Sequence, residues 1–149
     1  MSETRQRVLD DIKTAMKAGD KPRLATLRLM SAAIKQKEVD ERIELDEHTT
    51  IALLDKLLKQ RRESIAQYAA AGRDDLVAQE QSEAELIQTY LPEAMSEAEI
   101  TALIDAALET TGATSVRDMG KVMALVKPQV QGRADMSLIS KAVKERLSN

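Results

Sequence analysis

At 149 residues the chain suits one compact domain or two small ones, and with 43 % hydrophobic and 32 % charged residues it is too apolar for disorder and too charged for a membrane protein. The absence of Cys excludes a disulfide framework, a thiolate zinc site, an iron–sulfur cluster and a Cys nucleophile. The polar opening MSETRQRVLDD predicts neither a signal peptide nor a spanning helix, so a cytoplasmic protein is expected, and the net charge of -3 by itself neither favours nor excludes a nucleic-acid partner.

With no Trp, no Phe and only Tyr68 and Tyr90 as aromatics, the core must be built from Leu, Ile, Val, Met and Ala, the side chains that helices pack most readily. Val8, Ile12, Ala15 and Met16 recur at helical spacing and Gly19 follows as a stop. Asp20 is then an N-cap with Pro22 in the first turn, and Leu24, Leu27, Met30 and Ile34 stripe a second helix reaching about Arg42, so that the two form a hairpin. Asp46 caps a longer third helix, striped by Ile51, Leu54, Leu58, Ile65 and Tyr68 and ended by Gly72. Arg61 falls on that stripe, where it can snorkel, pair with an acid of a neighbouring helix or point into a groove.

A fourth helix is expected from Asp75 to Tyr90, ended by Leu91-Pro92 because a residue before proline is pushed from helical angles. Ser96 with Glu99 has the form of a capping box and opens a fifth helix, which runs to Gly112. Ser115 with Asp118 repeats the pattern for a sixth helix, lined by Val116, Met119, Val122, Met123 and Val126 and kinked or ended at Pro128. QGRAD at 131–135 joins a C-capping Gly to an N-capping Asp before a last helix striped by Ile139, Ala142, Val143 and Leu147. No segment alternates as a strand does, so the fold class is all-α: an N-terminal helical domain over 1–90 with long helices, a boundary in 91–96, and a small three-helix bundle over 91–149.

The chemistry such a chain can support is narrow. His48, the single histidine, lies in the polar run LDEHTT and reads as a surface residue, and acids at helical spacing without His or Cys beside them give no metal site. The five glycines form no phosphate loop of Walker or Rossmann type, and Gly120, inside a helical stripe, reads as a place where two helices approach closely. No cofactor, nucleotide or metal is expected, and no catalytic residue is assigned.

Charge is distributed unevenly. Residues 1–73 hold 15 Lys/Arg against 12 Asp/Glu, residues 74–111 none against 10, and residues 112–149 seven against three. At 100° per residue, Arg117 and Lys121 fall opposite the Met119, Val122, Val126 stripe, and Lys141 and Lys144 fall opposite Ile139 and Val143. Cations so placed can neutralise phosphates without reading sequence, and with so few aromatics any RNA would be held by shape and backbone rather than by stacking. KQRRES at 59–64 supplies a second basic cluster, Lys59, Arg61 and Arg62, which can equally form solvated helix pairs.

Several long strings carry a resemblance: MKAGDKPRLATLRLMSAAIKQKEVD at 16–40, KQRRESI at 59–65, AGRDDL at 71–76, YLPE at 90–93 and DMGKVMALVKPQVQGRAD at 118–135. Through them nearly the whole chain resembles the YqeY family. The resemblance implies an all-helical N-terminal part and a small helical domain similar to the tail of the B subunit of the glutamine-dependent aspartyl/glutamyl-tRNA amidotransferase, a tail that helps the enzyme hold tRNA. The matching stretch here is Met119, Gly120, Lys121, Val122 and Met123, then Gly132, Arg133, Ala134 and Asp135, with Lys127, Lys141 and Lys144 nearby. The helix faces and the resemblance together give a candidate RNA-binding set of Arg117, Lys121, Lys127, Arg133, Lys141 and Lys144. Nothing like the kinase-type cradle or amidase nucleophile of ammonia transfer is present, so a carbon–nitrogen ligase label with glutamine as amido donor would be borrowed from the larger relative.

Three functions follow as expectations. The first is non-catalytic binding of tRNA or of a tRNA-associated assembly. The second is a protein-interaction module docking through the acidic middle. The third is an accessory role in glutamine-dependent amidation of mischarged tRNA.

Overall fold

The computed structural model describes residues 2–148. Among these the protein is all-α, with helices α1 (Glu3–Ala18), α2 (Lys21–Glu41), α3 (Glu47–Ala70), α4 (Asp74–Gln88), α5 (Glu97–Thr111), α6 (Met119–Val130) and α7 (Met136–Ser148). The chain divides into two compact units, one ending at Leu91 and the other beginning at Pro92.

In the first unit α1 packs along α2 and α3 along α4, and the two hairpins close on each other through α1–α3, α2–α3 and α2–α4 contacts. Local chemistry sets the ends. Gly19 closes α1 in the left-handed region (φ 69°), and the Asp20 carboxylate accepts the Arg23 N–H at 3.2 Å to open α2. The Asp46 carboxylate accepts the Thr49 N–H at 2.8 Å to open α3. Val8, Leu27, Met30, Leu54, Ile87 and Tyr90 fill the interior, bringing together most of the stripes expected from the sequence, but Met16, expected on the stripe of α1, is 56 % exposed because Ala15 beside it takes the inward position in the last turn. Arg42 takes the left-handed conformation (φ 55°) that Gly usually fills, and the chain turns there to bury Leu45.

One cap crosses between helices. Glu47, in the first turn of α3, accepts the Ser2 hydroxyl at 2.6 Å, the Thr4 N–H at 3.0 Å and the Thr4 hydroxyl at 2.7 Å, and so ties down the start of α1 from 43 residues away. Burial raises the pKa of this carboxyl, but the hydrogen bonds from Ser2 and Thr4 outweigh it and hold the group below its ordinary 4.5. A carboxyl with a depressed folded pKa contributes stability above its unfolded value, and the contribution is lost as pH falls through the folded one. Glu47→Gln is therefore expected to lower stability near neutral pH by about 1–2 kcal/mol. It should also flatten the acid limb of a urea-midpoint profile below pH 4.5 relative to wild type; parallel profiles would refute the role given to the charge.

In the second unit α5 packs on α6 and α6 on α7, around Ile104, Ala107, Val122, Val126, Ile139 and Val143. The Ser96 hydroxyl accepts the Glu99 N–H at 3.1 Å and Gly112 closes α5 at φ 64°, as the sequence pattern predicts. The expected Ser115–Asp118 capping box does not form. Residues Val116–Asp118 make a turn of 3-10 helix in which the Asp118 N–H bonds the Ser115 backbone carbonyl at 2.9 Å, so it is not available to the serine side chain. The Asp118 carboxylate instead accepts the Thr114 N–H at 3.1 Å, a charged acceptor that holds the turn entering α6. Pro128 does not end α6, which continues two residues to Val130, although the proline has no N–H to donate to the carbonyl one turn back. Gly120 is not a close-packing point: it lies on the exposed side of α6, and a Cβ built there would meet nothing within 4 Å.

Candidate nucleic-acid interface

The buried residues of α6, Val122, Val126 and Val130, share one side of that helix, as Ile139, Val143 and Leu147 do on α7. Periodicity then fixes what faces water. Arg117, Lys121, Lys127, Lys141 and Lys144 are all exposed, and none of the five forms a salt bridge with another described residue. Lys121 does act at longer range on Asp118, whose pKa is lowered first by the Thr114 N–H and then, more weakly, by this cation. Beside the basic residues, exposed Gly120 and Ala124 leave the α6 face low, so that a polymer backbone can come close to the cations.

Arg133 is placed differently from the other five. Its Nε donates to the Glu93 carbonyl at 2.9 Å, a terminal nitrogen donates to Glu99 at 3.1 Å, and its own carbonyl accepts the Met95 N–H at 2.8 Å. It clasps the segment before α5 to the turn before α7. Arg146, which the sequence pattern did not single out, pairs with Asp105 of α5. The unit is thus polarised by helix: α5 carries acids and no cation, and the cations outside any salt bridge among the described residues sit on α6, α7 and the turn before α6.

The second basic cluster is not a cluster in space. Arg61 turns to α4, with Nε 2.9 Å from Glu83 and 3.5 Å from Glu80, which settles its place on the stripe in favour of pairing with neighbouring acids. Its N–H points along neither contact, since Nε and the near Glu80 oxygen are both buried without an aligned hydrogen bond, so the attraction is one of charge more than of hydrogen bonding. Arg62 donates to Gln88 at 3.2 Å, and Lys59 and Arg62 are both exposed and, among the described residues, outside any salt bridge. His48 is exposed beside the α3 cap. Among the described residues no group of three or more His, Cys, Asp or Glu is placed to hold a metal, and no helix is long and apolar enough to cross a membrane.

A further ionisable group gathers where α4 meets α1. The Tyr90 hydroxyl donates to the Asp11 carboxylate, while Arg7 lies over the Tyr90 ring, 4.4 Å from its centroid, and donates to the Thr89 carbonyl at 3.1 Å. Burial, then the hydrogen bond and charge of Asp11, raise the phenol above its ordinary 10.0, so it remains a donor throughout the physiological range. The arrangement is a latch that fixes the end of α4.

These features define a small all-helical protein with a polarised C-terminal bundle. The chain belongs to the YqeY family: the model of the Yqey-like protein family matches residues 5–147. Curated relatives are named "Altered inheritance of mitochondria protein 41, mitochondrial". That of Eremothecium gossypii is 44 % identical over 108 residues, covering 70 % of this chain and 58 % of the relative. That of Vanderwaltozyma polyspora is 43 % identical over 82 residues, 54 % of this chain and 44 % of the relative. That of Pyrenophora tritici-repentis is 32 % identical over 142 residues, 93 % of this chain and 78 % of the relative. The chain thus spans about half the length of the first two. These names overturn the expectation of a cytoplasmic protein, since the relatives are named as mitochondrial. The features behind that expectation, no Cys and no long apolar run, hold in any reducing aqueous compartment and do not separate one from another.

Proposed function

We propose that this protein binds RNA of the tRNA class through the phosphate backbone, using the cations of α6, α7 and the turn before α6, and that it assists tRNA-linked chemistry without performing it. The observation that carries the reading is the exposure of Arg117, Lys121, Lys127, Lys141 and Lys144, without a salt bridge to any described residue, on sides facing away from the core, while α5 takes the acids. The likeness of the stretches 119–123 and 132–135 to an amidotransferase tail supports tRNA as the RNA. Base stacking adds nothing here, because this unit contains no aromatic residue.

The acidic middle is a weaker docking surface than its charge suggests. Half of its ten carboxylates, Asp75, Glu80, Glu83, Glu99 and Asp105, are already paired with Arg73, Arg61, Arg133 or Arg146. Less free charge remains to attract a basic partner.

Filter binding of unfractionated tRNA across a salt series tests the proposal. Wild type should bind in a salt-sensitive manner. Lys121→Glu/Lys127→Glu/Lys141→Glu/Lys144→Glu should lose at least about a hundredfold in affinity and most of the salt slope, since each phosphate contact contributes about one to that slope. Arg133 is left intact because its reversal would also break the clasp to Glu93 and Glu99. Wild-type affinity in the quadruple variant would sink the assignment.

A further inference from the structure

Along α2, Lys21, Arg28, Lys35 and Arg42, the last being the helix's C-cap, recur every seventh residue, so they form a slowly turning stripe on one side of the helix, about 10 Å and about 20° from one to the next and about 30 Å from end to end. Between them fall Ala25, Ala32 and Val39, and all seven residues are exposed. The cations are uncompensated. The three acids of α2 are each occupied elsewhere: Glu38 holds Arg5 and the Leu45 N–H, Asp40 accepts from Gln36, and Glu41 pairs with Lys37. None of the four row cations comes within 4.0 Å of a carboxylate of a described residue. A merely solvated helix face gains from i,i+4 pairing of opposite charges, and here that pairing is confined to the flank while the central line carries one sign.

We infer that this line of α2 is a second polyanion-binding surface, and that its ligand is the phosphate backbone of double-helical RNA. A row of cations along one helix side is the electrostatic footprint of nucleic-acid binding. Ala25 and Ala32 keep the line low enough for a sugar–phosphate backbone to reach the cations. A docked protein helix would draw its affinity from a cluster of large anchors, and of the exposed large hydrophobics on and just after α2, Leu29, Val39 and Ile43, only Val39 lies between the row cations. The inference rests on the reading of the partner as RNA and adds a contact surface in the first unit to that in the second.

The test is filter binding of unfractionated tRNA, of a blunt-ended RNA duplex and of polyglutamate to the full chain. Arg28→Glu/Lys35→Glu should lose at least about tenfold in RNA affinity at moderate salt, with a salt slope shallower by about two. Arg28→Lys/Lys35→Arg should keep both affinity and slope, and unchanged helicity by circular dichroism would show that the exposed substitutions leave the fold intact. Wild-type affinity and slope in Arg28→Glu/Lys35→Glu, with RNA lost in the quadruple variant of α6 and α7, would overturn this inference and leave the proposed function standing. The reverse pattern would uphold α2 and remove the assignment to the second unit. A chain that binds neither RNA would overturn both, as would one that holds only polyglutamate through Arg28 and Lys35.

Discussion

Tyr90→Ala is expected to destabilise the protein by about 3 kcal/mol, the range for emptying a buried aromatic site. Tyr90 is 3 % exposed, belongs to the interior that includes Val8 and Ile87, and stands where α4 has already ended at Gln88. Its loss opens a cavity, frees the Arg7 guanidinium from the ring and deprives Asp11 of its donor. Tyr90→Phe separates these effects: it keeps the ring and removes the hydroxyl, and should cost about 1–2 kcal/mol. The phenol's pKa is raised in the fold, so its proton is favoured there, and the contribution is present below pH 10.0 and lost as pH rises through the folded value. Urea midpoints for wild type and both variants at neutral and alkaline pH check this. Equal losses for Phe and Ala would mean that the hydroxyl carries the whole effect, and no loss in either would remove the latch.

The latch also marks the limit of what could be read from the chain. Helix ends set by local chemistry were legible: Gly19, Asp20, Asp46, Ser96 and Gly112 act within a few residues of where the pattern puts them. Ser115–Asp118 matched the capping pattern and failed, because the backbone carbonyl of Ser115 took the N–H that the pattern assigns to its side chain. Gly120 lies within the span of an apolar stripe but not on it: its position, two residues before Val122, puts it on the water side. Contacts across long sequence separations had no local signal: Tyr90 to Asp11 is 79 residues, Glu47 to Thr4 is 43, and Arg133 to Glu93 is 40.

The candidate interface divides along the same line. The exposure of Arg117, Lys121, Lys141 and Lys144 follows from their angle to an apolar stripe, which sequence supplies. Whether an exposed cation is free is a tertiary question, and Arg133 and Arg61 are answered by acids 34 and 19 to 22 residues away. The seven-residue spacing on α2 was visible in the residues themselves, but the occupation of Glu38 by Arg5, from another helix, was not.

Arg61→Ala is expected to cost about 2–3 kcal/mol, somewhat below the range for breaking a fully buried pair because these side chains keep some access to water. The side chains of Arg61, Glu80 and Glu83 are 21 %, 18 % and 16 % exposed, and removing the guanidinium leaves two like charges facing each other across a space the protein has partly dried. The penalty is then one of uncompensated charge rather than of a lost contact, which makes a cycle informative. Glu80→Gln/Glu83→Gln added to Arg61→Ala should recover about half of the loss, whereas the same pair in the wild-type background should destabilise, because it strands the cation. Losses that simply add across the three sites would show that Arg61 stabilises α3 against α4 through its aliphatic stem and not through charge. RNA affinity should be unchanged in Arg61→Ala under conditions where the variant is folded, since its guanidinium is spent on α4; a salt slope shallower by about one would instead return Arg61 to the binding surface.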